Sequence, residues 1–141
     1  LNLFAPGANY GWPLTTMGEP YDRSSFPDDP NQLLAPWLDN GSTVIPGTTN
    51  PVLWRTPAIA PTQLVPLGGT STTPPLLAIG GLASEAIIIV ALDGDETQEI
   101  SRVRLGERVR NVAGDSTGSF LVAITDSATL WVVSTATFRG L

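Results

Sequence analysis

Arg108 and Arg110 stand two residues apart in the segment Gly106-Glu107-Arg108-Val109-Arg110-Asn111-Val112. An extended strand alternates its faces with a period of two, so both guanidinium groups are expected on one side. Val109 and Val112 then fall among apolar contacts. Two permanently charged planar forks on one face suit a ligand with several carboxylates. The chain has no lysine, and four of its seven arginines lie between Arg102 and Arg110. That concentration is either the wall of an anion site or a solvated strand face. Arg102 and Arg104 repeat the spacing on the preceding strand, and Glu99 and Glu107 are placed to neutralise some of the charge as cross-strand partners.

Other residues offer weaker chemistry. Asp28, Asp29 and Asn31 present hard oxygens for calcium, but Pro30 interrupts them and no EF-hand spacing occurs, so they read as a solvated loop. Asp93-Gly94-Asp95-Glu96 invites the same calcium reading and is better taken as a hairpin turn. Gly11, in Asn9-Tyr10-Gly11-Trp12-Pro13, reads as a turn that needs positive φ, anchored by its aromatic neighbours.

The elements that must position these residues divide at the last proline. All 13 prolines lie at or before Pro75. Residues 1–73 read as loops and turns with short extended pieces, because proline is excluded from central strands. Trp12, Trp37 and Trp54, with Phe4, Tyr10 and Tyr21, supply apolar area that this half must place somewhere. Residues 74–141 read as regular strands: Leu76–Ile79, Ala86–Leu92, Glu99–Leu105, Arg108–Ala113, Phe120–Thr125 and Leu130–Ser134. Turns are expected at Asp93–Asp95 and Asp115–Gly118. No segment carries the 3.6-residue apolar period of a substantial helix. The fold class is therefore all-β, built of antiparallel meanders. Ile87-Ile88-Ile89-Val90 is apolar on both faces and predicts a central strand covered by two layers.

Composition narrows the functional classes. With 141 residues and 42% hydrophobic content, the chain suits one domain with a modest core. A net charge of -6 argues against nucleic acid or an anionic membrane surface as the main partner. The absence of cysteine and histidine removes disulfides, thiolate chemistry, imidazole ligands and the commonest general base from this polypeptide. No apolar run approaches the roughly 20 residues of a transmembrane helix. Opening at Leu1 with neither a basic n-region nor an apolar h-region, the chain reads as a processed, trimmed or partial product.

Three segments, in order, carry a family resemblance. Asn2-Leu3 followed by Pro6-Gly7-Ala8-Asn9-Tyr10-Gly11-Trp12-Pro13 resembles the N-L-x-x-x-G-x-N-Y-G-W-P signature of the glucose/sorbosone dehydrogenases, soluble sugar dehydrogenases that use pyrroloquinoline quinone. Thr56-Pro57-Ala58-Ile59-Ala60-Pro61-Thr62 is similar to the family's x-P-[ST]-[IV]-A-P-[ST] segment. Gly80-Gly81-Leu82, Leu92-Asp93-Gly94, Glu107 to Val112 and Leu121 to Asp126 resemble its closing blades, with the R-x-R-[DN]-V motif at the arginines.

The resemblance implies a partial β-propeller, about two to three blades of a six-bladed ring at roughly 40 to 50 residues per blade. It implies pyrroloquinoline quinone and calcium as cofactors, a sugar as substrate, and a periplasmic or secreted location. By the same resemblance, Arg108 and Arg110 match the cofactor-contacting arginines. Ala58 takes the place of a Ser or Thr near the quinone, and the lysine of some members would fall near Ala83. The family's base histidine and first calcium ligands belong to an N-terminal half outside this chain, so the chain alone is not expected to be catalytic. Open propeller edges need cover. The cover is either the remaining half of the ring or another subunit, which leaves a non-catalytic accessory subunit as the alternative function. A lectin-like sugar-binding module rests only on aromatics such as Trp37.

Overall fold

The structure is a computed structural model, and it describes residues 1–11, 47–55, 57–67 and 74–138. Trp12, Trp37, Tyr21 and the Asp28, Asp29, Asn31 group lie outside the described residues. The chain divides into two compact units, Leu1–Pro57 and Ala58–Leu141.

The first unit is held by backbone pairing. The Leu1 carbonyl accepts from the Val52 amide (2.9 Å), and Asn9 and Thr48 form a parallel bridge in which the Thr49 amide donates to the Asn9 carbonyl (2.7 Å). Pro6 and Gly7 occupy the centre of a tight turn closed by Ala8 N–H to Ala5 O (3.1 Å), with Gly7 at φ 75°. Because these ties are made by the main chain, they leave Phe4 and Trp54 exposed, contrary to the burial expected of them.

The second unit contains two antiparallel sheets. The first has the order β1 (Pro61–Leu67), β2 (Leu76–Gly81), β3 (Ala86–Ala91), β4 (Gln98–Arg104). The second has the order β5 (Val109–Gly114), β6 (Phe120–Thr125), β7 (Leu130–Ser134). Among the described residues there is no α-helix, only 3-10 turns at Gly94–Glu96 and Thr135–Phe138. The sheets pack face to face through Ala78, Ile87 and Ile89 on one side and Val109, Val112 and Leu121 on the other. Every residue of β3 is buried, as its two-faced apolar pattern requires of a strand flanked by β2 and β4.

Regular pairing starts earlier than the proline distribution suggests. β1 carries Pro61 and Pro66 and still pairs with β2, from Leu64↔Ile79 to Leu67↔Leu76. It is an edge strand, where a proline nitrogen can face away from the ladder without losing a bond. At the other strand ends, turn chemistry decides. Between β3 and β4, the buried Thr97 hydroxyl accepts from the Asp93 amide (3.0 Å) and donates to the Gly94 carbonyl (2.7 Å), fixing the expected Asp93–Glu96 turn.

Between β5 and β6, the Asp115 carboxylate accepts from the Thr117 hydroxyl, from the Thr117 amide (3.1 Å) and from the Phe120 amide (2.7 Å). These donors, the Thr117 hydroxyl foremost, hold its pKa down to about 2 from an ordinary 3.8. A depressed carboxyl pKa contributes stability that is present above the unfolded value and lost as pH falls through the folded one. The β5–β6 hairpin should therefore loosen between about pH 4 and pH 2. Melting curves across that window should show the loss in the native chain and little pH dependence in Asp115→Asn.

Candidate functional site

The arginine pair is shaped by an irregularity that alternation does not predict. Val109 pairs with Thr125 and Asn111 pairs with Ile124, so two residues of β5 advance against one of β6 and Arg110 is the extra residue. A regular strand would put Val109 and Val112 on opposite faces. The bulge lets both turn into the core, at 0% and 2% exposure, while Arg108, Arg110 and Asn111 stay outside. Arg108, Val109 and Arg110 alternate out, in, out as period two expects, and the bulge breaks the alternation only beyond Arg110, where Asn111 stays outside and Val112 turns in.

Both forks converge on a single carboxylate. Arg110 Nε donates to Asp126 Oδ1, and Arg108 Nε lies 3.8 Å from Asp126 Oδ2. Asp126 opens the β6–β7 turn, and its amide donates to the Arg108 carbonyl (3.2 Å), which carries the ladder one pair past the strand. The arginine side chains are about half exposed, at 52% and 51%, which places these ion pairs in the weak, solvent-screened class. Beside them, Ser127 Oγ donates to Glu107 (2.5 Å), which lowers the Glu107 carboxyl below its usual pKa.

The other charged residues resolve differently from the cross-strand pairing expected of them. Glu99 takes Arg102 from its own strand in a bidentate fork, at 2.8 and 2.9 Å. A second bulge makes this possible: Ile89 pairs with Ser101 and Val90 with Glu99, so Ile100 is extra and positions 99 and 102 share a face. Arg102 is thereby committed within the first sheet, whereas Arg108 and Arg110 sit together in the second. Glu107 engages a serine hydroxyl instead of an arginine.

Two family-like segments meet this end of the sheets. Thr62 Oγ1 on β1 donates to the carbonyl of Val109, the residue between the two arginines (3.2 Å). The Leu82 and Ala83 amides donate to the Ala60 and Ile59 carbonyls, at 2.9 and 3.0 Å. Ala58–Thr62, Gly80–Ala83 and Arg108–Arg110 are thus linked through hydrogen bonds, although they span much of the second unit. In the first unit, the Tyr10 hydroxyl donates to the Leu3 carbonyl (2.6 Å) and accepts from the Ala5 amide (2.7 Å). Gly11 adopts φ 91° with its amide on Asn9 Oδ1 (2.9 Å), the turn expected of it. Among the described residues no three acidic side chains gather to hold a metal.

Residues 1–132 match the family described as Glucose / Sorbosone dehydrogenase. The chain belongs to that family. Among curated relatives, the aldose sugar dehydrogenase YliI of Escherichia coli (strain K12) is 28% identical over 132 residues, covering 91% of this chain and 32% of its own length. The Synechocystis protein slr1608 is 30% identical over 115 residues, covering 79% of this chain and 25% of its own. The crystal structure of the soluble aldose sugar dehydrogenase (Asd) from Escherichia coli in the apo-form superposes with a TM-score of 0.68 at 26% identity. It covers 93% of this chain and 35% of that one. A crystal structure of glucose dehydrogenase gives 0.65 at 29% identity, over 93% and 36%. This member of the glucose/sorbosone dehydrogenase family therefore spans a quarter to a third of the curated relatives' length, at 25% and 32%. Its two stacked sheets form part of a β-propeller.

Asp126 is the site residue that reading for motifs overlooked. Uninterrupted pairing of Arg108–Ala113 with Phe120–Thr125 from the Asp115–Gly118 turn would set Ser127 opposite Arg108. The bulge at Arg110 moves the register by one and brings Asp126 there instead, so the strands and their turn alone do not reveal this partner.

Proposed function

We propose that this chain is the C-terminal part of a pyrroloquinoline-quinone-dependent aldose dehydrogenase propeller, in which Arg108 and Arg110 bind carboxylates of the quinone. The observation that carries this reading is the convergence of the two half-exposed guanidinium groups at one sheet end, beside Thr62 and the Gly80–Ala83 turn. When bound, the quinone would accept hydride from the sugar. The part played by this chain is to hold and orient it: planar forks match carboxylates in pairs, and Val109, buried between them, anchors their strand in the core. With no histidine in the chain, an imidazole base would come from outside it. An extracytoplasmic location belongs to the same reading.

A second reading, a non-catalytic subunit of a larger assembly, is favoured by one face of the second sheet. Phe120, Ile124, Leu130 and Val132 stand exposed on that face, where Ile124 pairs with Leu130 and Val122 with Val132. One experiment separates the two. The native polypeptide is titrated with the quinone by absorbance and sedimented, alongside the variant Arg108→Gln/Arg110→Gln. Loss of charge-assisted bonds should weaken quinone binding about 100-fold or more with sedimentation unchanged. No spectral response in the native polypeptide would sink the cofactor reading, and altered sedimentation alone would favour the subunit.

A further inference from the structure

We infer that Asp126 is a resident counter-ion that makes the arginine pair selective for ligands carrying two or more carboxylates. The inference deepens the proposed function and rests on its reading of Arg108 and Arg110 as an anion clamp. Its ground is the arrangement of charge. One carboxylate lies between two forks, bonded to Arg110 Nε and 3.8 Å from Arg108 Nε. The backbone bond from Asp126 N–H to Arg108 O keeps it there. Asp126 meets both guanidinium groups at their Nε atoms. Each arginine keeps its terminal nitrogens as further donors.

Charge arithmetic then sets the preference. Two positive forks and one carboxylate leave a single positive charge, while Glu107 nearby is bonded to Ser127 rather than to either fork. A ligand with one carboxylate can cancel only the single charge that Asp126 leaves, or exchange one exposed ion pair for another. A ligand with two or more can neutralise both forks after Asp126 swings away. The displacement itself is easy, because half-exposed ion pairs are weakly held. The device discriminates by the number of charges a ligand brings. It requires no contact with the rest of the ligand.

The test uses citrate, with three carboxylates, and acetate, with one, as probes on the full chain and on Asp126→Asn. The readout is protection of Arg108 and Arg110 from a dicarbonyl reagent, followed by peptide mass. In the native chain citrate should protect both arginines at concentrations where acetate does not. In Asp126→Asn the unprotected arginines should react faster, and acetate should protect at a concentration about fivefold lower. The preference for citrate over acetate should shrink accordingly. An unchanged preference overturns the inference and leaves the anion clamp standing. Weaker protection by both anions in Asp126→Asn also overturns it, making Asp126 a residue that positions the forks. If neither anion protects either protein, the clamp itself fails and the inference falls with it.

Discussion

Replacing Ile89 with alanine is expected to cost the fold about 2–5 kcal/mol. Ile89 is 0% exposed and lies on β3, with β2 and β4 pairing on either side and the second sheet packed against its side chain. Truncation removes the transfer energy of the lost methylenes and leaves a void that neighbours on two ladders cannot close without breaking register. Small domains have only about 5–15 kcal/mol in total, so the change should remove a large share of the stability. Urea unfolding followed by tryptophan fluorescence should show a lower midpoint with the slope preserved. Leu130→Ala supplies the contrast: at 65% exposure it should shift stability by less than about 0.5 kcal/mol. Equal losses at the two positions would contradict the packing described for the sheets.

Gly80→Val is expected to cost about 1–3 kcal/mol and to disturb the arginine pair as well. A Cβ at position 80 would stand 2.6 Å from Thr62 Oγ1, 2.9 Å from Val112 Cγ2 and 3.1 Å from Val109 Cγ1. These atoms belong to two strands, β1 and β5, one in each sheet, so the added side chain must wedge β2 away from β5 or expel Thr62. Either outcome strains or breaks the Thr62 bond to the Val109 carbonyl, between the two arginines. The melting temperature should fall by roughly 4–8 °C per kcal/mol, and the reactivity of Arg108 and Arg110 should change with it. Gly114→Ala should be milder, because its Cβ would meet one side chain, Val65 Cγ1, at 3.2 Å. A native melting temperature in Gly80→Val would show that the sheets do not approach as closely as the glycine implies.

Most of the second unit could be read before any coordinates. β2 to β7 follow from short β-branched runs punctuated by Asp-Gly and Asp-to-Gly turns, and the two-faced apolarity of Ile87–Val90 placed β3 centrally. β1 was hidden because proline signals loops wherever strand position is unknown, and only an edge tolerates it. The arginine pair was legible as chemistry and as a motif. Its geometry was not, because a bulge has no composition of its own: Val109 and Val112, three apart and both apolar, were its only trace. Partners of charge were the least legible. Glu99 looked like a cross-strand partner and instead closes a fork on its own strand, while Asp126 was passed over as the end of a segment. Such pairings depend on register, which local patterns do not state.

The bulge in β5 also separates what packing needs from what the site needs. Removing Arg110 from the chain would leave Val109, Asn111 and Val112 facing Thr125, Ile124 and Ala123 in unbroken succession. Both valines would still point inward. The hydrophobic interior would accept a gene one codon shorter, and the ladder would be more regular for it. Arg110 is thus an insertion that the inward placement of the two valines does not require.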